Sequence, residues 1–157
     1  MQRRPDIGFI PTPPHVVAVL LQLAELAPTD VVYDLGCGDG RILIAAAQQY
    51  GVRGVGIDID PDRIQTATQQ AVLAGVEHLV QFRHADLYAS DFRAATVVML
   101  YLLPHLNLKL LPALRSQLQP GARILSHDFD LGDWQPDAVV QVPIEADEIA
   151  TVYRWIV

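Results

Sequence analysis

Short apolar runs alternate along this chain with longer stretches whose apolar residues recur on one helical face. The runs at 31–35, 53–59, 80–85, 96–102 and 122–127 predict strands, and the stretches at 15–26, 41–50 and 61–74 predict helices. The punctuation agrees with that division. Asp60 stands as a cap before Pro61 at a first helical position, and Gly51 and Gly75 stand where helices end. Between 104 and 118 the helical pattern is interrupted by Pro112, which lacks an N–H group and predicts two short helical pieces.

Alternating strands and helices need crossover connections, so the first five strands should run parallel in a sheet covered on both faces. The end of the chain changes character. Two β-rich runs, 138–144 and 149–157, flank the short turn Glu145-Ala146-Asp147-Glu148 and predict an antiparallel hairpin. The expected architecture is α/β: a doubly wound sheet of five parallel strands plus a C-terminal antiparallel hairpin. Ahead of the first helix, Phe9-Ile10-Pro11-Thr12-Pro13-Pro14 is stiffened by proline into an extended arm. The expected organisation is an N-terminal arm and helix over 1–28 followed by one compact ligand-binding unit over 29–157.

Composition narrows the classes of function. With 51% hydrophobic and 18% charged residues the chain can bury a sizeable core. A net charge of −7 argues against nucleic acid as the main partner, since phosphate binding needs clustered Lys and Arg, and favours a basic protein segment or a small amine. No run approaches the roughly 20 apolar residues that span a bilayer, and 1–10 lacks the apolar core of a secretory signal, so a cytoplasmic location is expected. Cys37, the single cysteine, reads as a small filler inside a glycine loop.

That loop carries the chemistry. The strand at 31–35 runs into Gly36, Gly38 and Gly40, which lets the backbone turn tightly and approach a ligand, and the next helix opens with free N–H groups facing it. A dinucleotide fingerprint needs glycine at position 41, where this chain has Arg41. Asp34, two residues before the first glycine, suits a cationic ligand better than a pyrophosphate. The second strand ends in Asp58-Ile59, where nucleotide-binding βαβ units place a carboxylate on the ribose hydroxyls. A third strand ends in Asp86-Leu87.

The D-x-G-x-G-x-G spacing around Asp34 resembles the first motif of the class I S-adenosylmethionine-dependent methyltransferases, whose Rossmann-like fold finishes in an antiparallel hairpin. The resemblance implies S-adenosyl-L-methionine as cofactor. In that family the acidic residue and the glycine loop hold the methionine end, which falls here on Asp34, Gly36, Gly38 and Gly40. Asp86 and Leu87 match the motif that meets the adenine. F-I-P-T-P, Y-D-L-G-C-G-D-G-R, G-I-D-I-D-P and Y-L-L-P together are similar to the small lysine methyltransferases related to the ATP-synthase c-subunit lysine methyltransferase. No N-P-P-Y signature follows the fourth strand, which speaks against amide or adenine N-methylation.

Ligands of open α/β sheets lie outside the carboxyl ends of the strands, so the methyl acceptor should meet the loops at 101–104 and 126–128 and the arm at 9–12. Tyr101 is the candidate catalytic residue, orienting the acceptor, with Leu102, Leu103 and Phe129 as an apolar rim. Thr12 is the arm's candidate polar contact to the cofactor. His127 and Asp128 are expected on opposite faces of their strand, which argues against a metal site there. The expected activity is methylation of a protein lysine. A small-molecule acceptor and a non-catalytic nucleotide-binding module are the alternatives.

Overall fold

A computed structural model describes residues 11–157. Its helices and strands follow in the order α1 (Pro14–Ala24), β1 (Val31–Leu35), α2 (Arg41–Tyr50), β2 (Arg53–Asp58), α3 (Pro61–Leu73), β3 (Val80–His84), β4 (Val97–Leu100), α4 (Pro104–Gln117), β5 (Arg123–His127), β6 (Ala138–Glu145) and β7 (Glu148–Ile156). The strands form one seven-stranded sheet in the order β3-β2-β1-β4-β5-β7-β6. Strands β1 to β5 pair in parallel, and β7 pairs antiparallel with both β5 and β6. The expected five parallel strands and closing hairpin are therefore present. What the sequence did not reveal is that β7, the last strand, inserts between β5 and β6.

Strand β1 is hydrogen-bonded to β2 on one side and β4 on the other, so the chain winds outward in both directions from this point. The loops leaving β1 and β4 consequently diverge and open a crevice at the carboxyl edge of the sheet. Two apolar layers hold the sheet. On one face Val16, Leu20 and Leu21 of α1 pack with Leu43 and Ala46 of α2 and Val32 of β1. On the other, Leu106, Leu110 and Leu114 of α4 pack with Leu35, Leu100, Phe92 and Trp155. Both faces being covered explains why β1, β4 and β5 read as nearly continuous apolar runs.

The sequence reading fails at Pro112. Helix α4 runs unbroken from 104 to 117 with the proline inside it. Proline removes one hydrogen bond, but Leu106 and Leu110 before it and Leu114 after it form a single buried stripe. Burying three leucines is worth roughly 1.5 to 3 kcal/mol each, more than the approximately 3 kcal/mol that an internal proline costs.

At the opposite end of the sheet, away from the crevice, Asp30 ties three elements together. Its carboxylate accepts from Arg123 Nη2 at 2.8 Å, Thr96 Oγ1 at 2.8 Å and the Ala27 N–H at 2.8 Å, while Arg123 Nε donates to the Ala24 carbonyl at 3.0 Å. Burial pushes the Asp30 carboxyl up, but the hydrogen bonds from Arg123, Ala27 and Thr96 outweigh it and hold its pKa below 3.8. Asp30→Ala should destabilise the fold by about 1.5 to 3 kcal/mol at pH 7, the scale of hydrogen bonds to a charged group. Because the folded pKa is depressed, this contribution is present above pH 3.8 and is lost as the pH falls through the folded value. Urea titrations of both proteins at pH 7 and below pH 3 should show the difference shrinking, and a difference constant with pH would contradict this account.

Candidate cofactor and acceptor site

The carboxyl ends of β1 and β2 are stitched together by the loops that follow them. Gly36, Gly38 and Gly40 all adopt left-handed backbone, with φ of 91°, 56° and 81°. The Gly36 and Cys37 N–H groups donate to the Ile57 carbonyl at 2.8 and 3.1 Å. Asp58, 5% exposed, then accepts from the Gly38 N–H through Oδ2 at 2.9 Å and from the Asp60 N–H through Oδ1 at 2.9 Å. The candidate ribose ligand is thus also the post on which the glycine loop is hung. Each carboxylate oxygen has a second lone pair, so these bonds leave room for hydroxyl donors.

The glycines do different jobs. A Cβ on Gly40 would lie 2.7 Å from the Phe82 ring and 3.0 Å from Ala67, so this glycine serves the packing of α2 against β3 and α3. A Cβ on Gly36 would meet Leu102 of the β4 loop at 3.3 Å. Cys37 fills the space over Gly56, and burial, with Asp34 and Asp58 nearby, pushes its thiol pKa well above the ordinary range. A neutral, buried thiol is a filler, as expected.

Asp34 is a buried acid with no cation paired to it among the described residues. It is 4% exposed, no described side chain or backbone group hydrogen-bonds its carboxylate, and burial together with Asp58 and Asp39 pushes its pKa up to about 8. Asp39 cannot lend it a cation, because Arg41 is folded back on Asp39 itself, at 2.7 Å. A buried acid among acids fits a cationic ligand, and the ammonium of S-adenosylmethionine answers that requirement. Asp86 caps a short 3-10 turn, Leu87–Ala89, accepting from the Tyr88 N–H at 3.0 Å. Leu87 packs partly buried against the second core, and the Ile59 carbonyl accepts from His84 Nε2 at 3.0 Å.

The candidate acceptor side is aromatic and acidic. Tyr101 follows β4 directly and stacks on His127, with ring centroids 3.9 Å apart and planes at 25°. Phe129 continues the stack at 6.2 Å and 16°. Burial pushes the Tyr101 phenol up, and Asp128 and Glu148 add to the shift. Leu102 is buried and Leu103 partly so.

Two arrangements here differ from the sequence reading. His127 and Asp128 were expected on opposite faces, yet Asp128 Oδ2 lies 3.6 Å from His127 Nε2. Asp128 leaves the strand with φ of 67° and is anchored to β7 through the Thr151 N–H, so the alternation of a regular strand ends at His127. Thr12 directs its hydroxyl to His127 Nδ1 at 3.1 Å, while its carbonyl accepts from Arg41 Nη1 at 3.2 Å. Sequence offered no signal for the Thr12–His127 bond, which spans 115 positions. Phe9 and Ile10, the rest of the expected arm contact, lie outside the described residues.

The fold, the glycine loop and the three acids at successive strand ends define a class I S-adenosylmethionine-dependent methyltransferase. Residues 34–138 match the sequence model of the ANTKMT methyltransferase domain, and the chain belongs to that family. It is 37% identical to a protein-lysine N-methyltransferase of Saccharolobus islandicus over 98% of this chain and 95% of that protein. It is 34% identical to the adenine nucleotide translocase lysine N-methyltransferase of Mus musculus over 87% of this chain, spanning 59% of that longer relative. A crystal structure described as an RNA methyltransferase from Salinibacter ruber, in complex with S-adenosyl-L-homocysteine, superposes with a TM-score of 0.87 at 54% identity, covering 94% of this chain and 93% of that one. Among the described residues no helix is long and apolar enough to cross a membrane.

A pKa of about 8 for Asp34 makes a prediction about the ligand-free protein. The folded state holds a proton there that the unfolded state releases above pH 3.8, so this residue lowers stability progressively as the pH rises from about 4 to about 8. Asp34→Asn should remove that slope and raise the melting temperature by several degrees at pH 8, with little change at pH 4. Calorimetric melts across this range test it. Equal melting temperatures of the two proteins at pH 8 would refute the buried, unbalanced charge.

Proposed function

We propose that this methyltransferase acts on the side-chain amine of a protein lysine. The observation that carries the reading is the acidic, aromatic wall at the mouth of β4 and β5: Tyr101 stacked with His127 and Phe129, with Asp128 and Glu148 close enough to act on its phenol. Aromatic faces attract an ammonium by about 0.5 to 2 kcal/mol, and carboxylates draw a cationic chain toward the crevice. Partial burial then favours the neutral amine, the form with the lone pair that attacks. When bound, S-adenosylmethionine supplies an electrophilic methyl group on a sulfonium. In this reading Asp34 faces the cationic methionine end beside Gly36, Gly38 and Gly40, and Asp58 with Ile59 receives the ribose. Asp86 and Leu87 receive the adenine, and Thr12 closes the cofactor side through the 11–14 segment. Of the 1–28 segment, the described residues from 11 onward with helix α1 serve the unit 29–157, and the buried free thiol of Cys37 suits a reducing cytoplasm.

Kinship supports the lysine reading: the Saccharolobus islandicus relative, matched along nearly its whole length, is a protein-lysine N-methyltransferase. A second reading, methylation of RNA, draws on the description of the Salinibacter ruber relative. Against it stand the net charge of −7 and the carboxylates around Tyr101, which repel phosphates. The two are separated by incubating the protein and radiolabelled S-adenosylmethionine with a lysate from cells lacking it, then resolving protein, RNA and small molecules. Label on protein, mapped to lysine by mass spectrometry, is the expected result. Label that ribonuclease releases, or label confined to metabolites, would overturn the proposal.

The division of labour within the site gives a further expectation. Asp58→Ala should weaken S-adenosylhomocysteine binding by about 1.5 to 3 kcal/mol. Tyr101→Phe should lower kcat while leaving that affinity nearly unchanged, the pattern of a contact felt in the transition state. Isothermal titration calorimetry beside steady-state kinetics distinguishes the two. A Tyr101→Phe protein that turns over normally would remove the hydroxyl from the mechanism.

A further inference from the structure

His127 is not among the residues assigned to the cofactor, yet it is a buried polar side chain packed against the proposed acceptor wall. It is 2% exposed, and among the described residues its Nε2 has no hydrogen-bond partner. Nδ1 is held by the Thr12 hydroxyl at 3.1 Å, and one flat face of the ring carries Tyr101 at 3.9 Å. Thr12 is in turn held by Arg41, the first residue of α2 after the glycine loop, through its carbonyl at 3.2 Å. These contacts form a continuous path from the glycine loop, through the segment ahead of α1, to the ring proposed to meet the acceptor.

We propose that His127 is a positioning residue that fixes the Tyr101 ring against the acceptor and makes its placement depend on the Thr12 segment being docked on the glycine loop. The inference rests on the acceptor wall proposed above. The imidazole suits the task for physical reasons. Its ring is flat and stacks, and a single hydrogen bond at Nδ1 stops rotation about the Cβ–Cγ bond. Burial also holds it in the neutral form, although Asp128 pulls the other way. A ring so held presents one face to Tyr101 and leaves it few alternative rotamers. A cofactor side that is not closed by Thr12 would therefore leave the acceptor wall loosely placed.

Two substitutions separate the parts of the contact. His127→Asn keeps a polar group for Thr12 and loses the stacked ring, whereas His127→Phe keeps the ring and loses the bond. With poly-L-lysine as methyl acceptor, His127→Asn should lower kcat roughly tenfold while affinity for S-adenosylhomocysteine, read by calorimetry, changes less than twofold. His127→Phe, which restores the stacked ring without the Thr12 bond, should recover only part of that loss. In a Tyr101→Leu background His127→Asn should cause almost no further loss, because residues acting through one another are not additive. Thr12→Val gives a readout without turnover: deuterium exchange should speed up both at 11–17 and at 100–104. Losses that multiply in the Tyr101→Leu background, a His127→Phe protein as slow as His127→Asn, or exchange at 100–104 unaltered by Thr12→Val would each overturn the proposal. Should the wild-type protein leave poly-L-lysine unmethylated, the lysate experiment decides the lysine reading, and coupled or uncoupled exchange in Thr12→Val still upholds or overturns the role of His127.

Discussion

The carboxylate of Asp58 is the joint on which the site depends. By accepting from Gly38 N–H with one oxygen and Asp60 N–H with the other, it locks the loop after β1 to the loop after β2. Three glycines in succession would otherwise give that loop wide conformational freedom, and ordering it on ligand binding would cost affinity. Two hydrogen bonds to a charged acceptor, each worth about 1.5 to 3 kcal/mol when buried, prepay that ordering in the folded chain. The joint also fixes where α2 begins, and so where Arg41 can reach Asp39 and the Thr12 carbonyl.

Charge around this joint is out of balance. Asp34, Asp39 and Asp58 lie close enough that the last two raise the pKa of the first, and the Arg41 guanidinium is engaged by Asp39. The arrangement lowers the stability of the empty protein near neutral pH and raises its readiness for a positively charged ligand. Contrast the Asp30 cluster at the other end of the sheet, where the acid is matched by Arg123 of β5 and by hydrogen bonds from Ala27 after α1 and Thr96 just before β4. One end of the sheet is electrostatically satisfied and holds the fold, and the other, left unsatisfied, is the proposed ligand end.

The proposed acceptor wall follows a third logic, that of stacked rings over a hydrogen-bonded base. Tyr101 reaches its position by leaving β4, His127 by ending β5, and Asp128 by turning into left-handed backbone against β7. The insertion of β7 beside β5 matters for this reason. It brings the acidic turn at 145–148 toward Tyr101, whereas an antiparallel hairpin appended in plain sequential order would carry that turn to the opposite edge of the sheet.

Much of this was legible in the residues. Periodicity gave all seven strands and the parallel-to-antiparallel change, because burial on both faces leaves unbroken apolar runs and a short polar turn leaves no room for a crossover. Glycine spacing with Arg41 in place of a glycine separated the loop from a dinucleotide site, since that distinction lies within a few adjacent positions. Pro112 misled, because local backbone preference was overruled by a leucine stripe whose burial only the packed sheet provides. The raised pKa of Asp34, the second task of Asp58 and the Thr12–His127–Tyr101 contact were decided by tertiary structure alone. Sequence determines which residues are acidic, flat or hydroxylated; desolvation, charge proximity and hydrogen bonds across 115 positions exist only once the strands are set side by side.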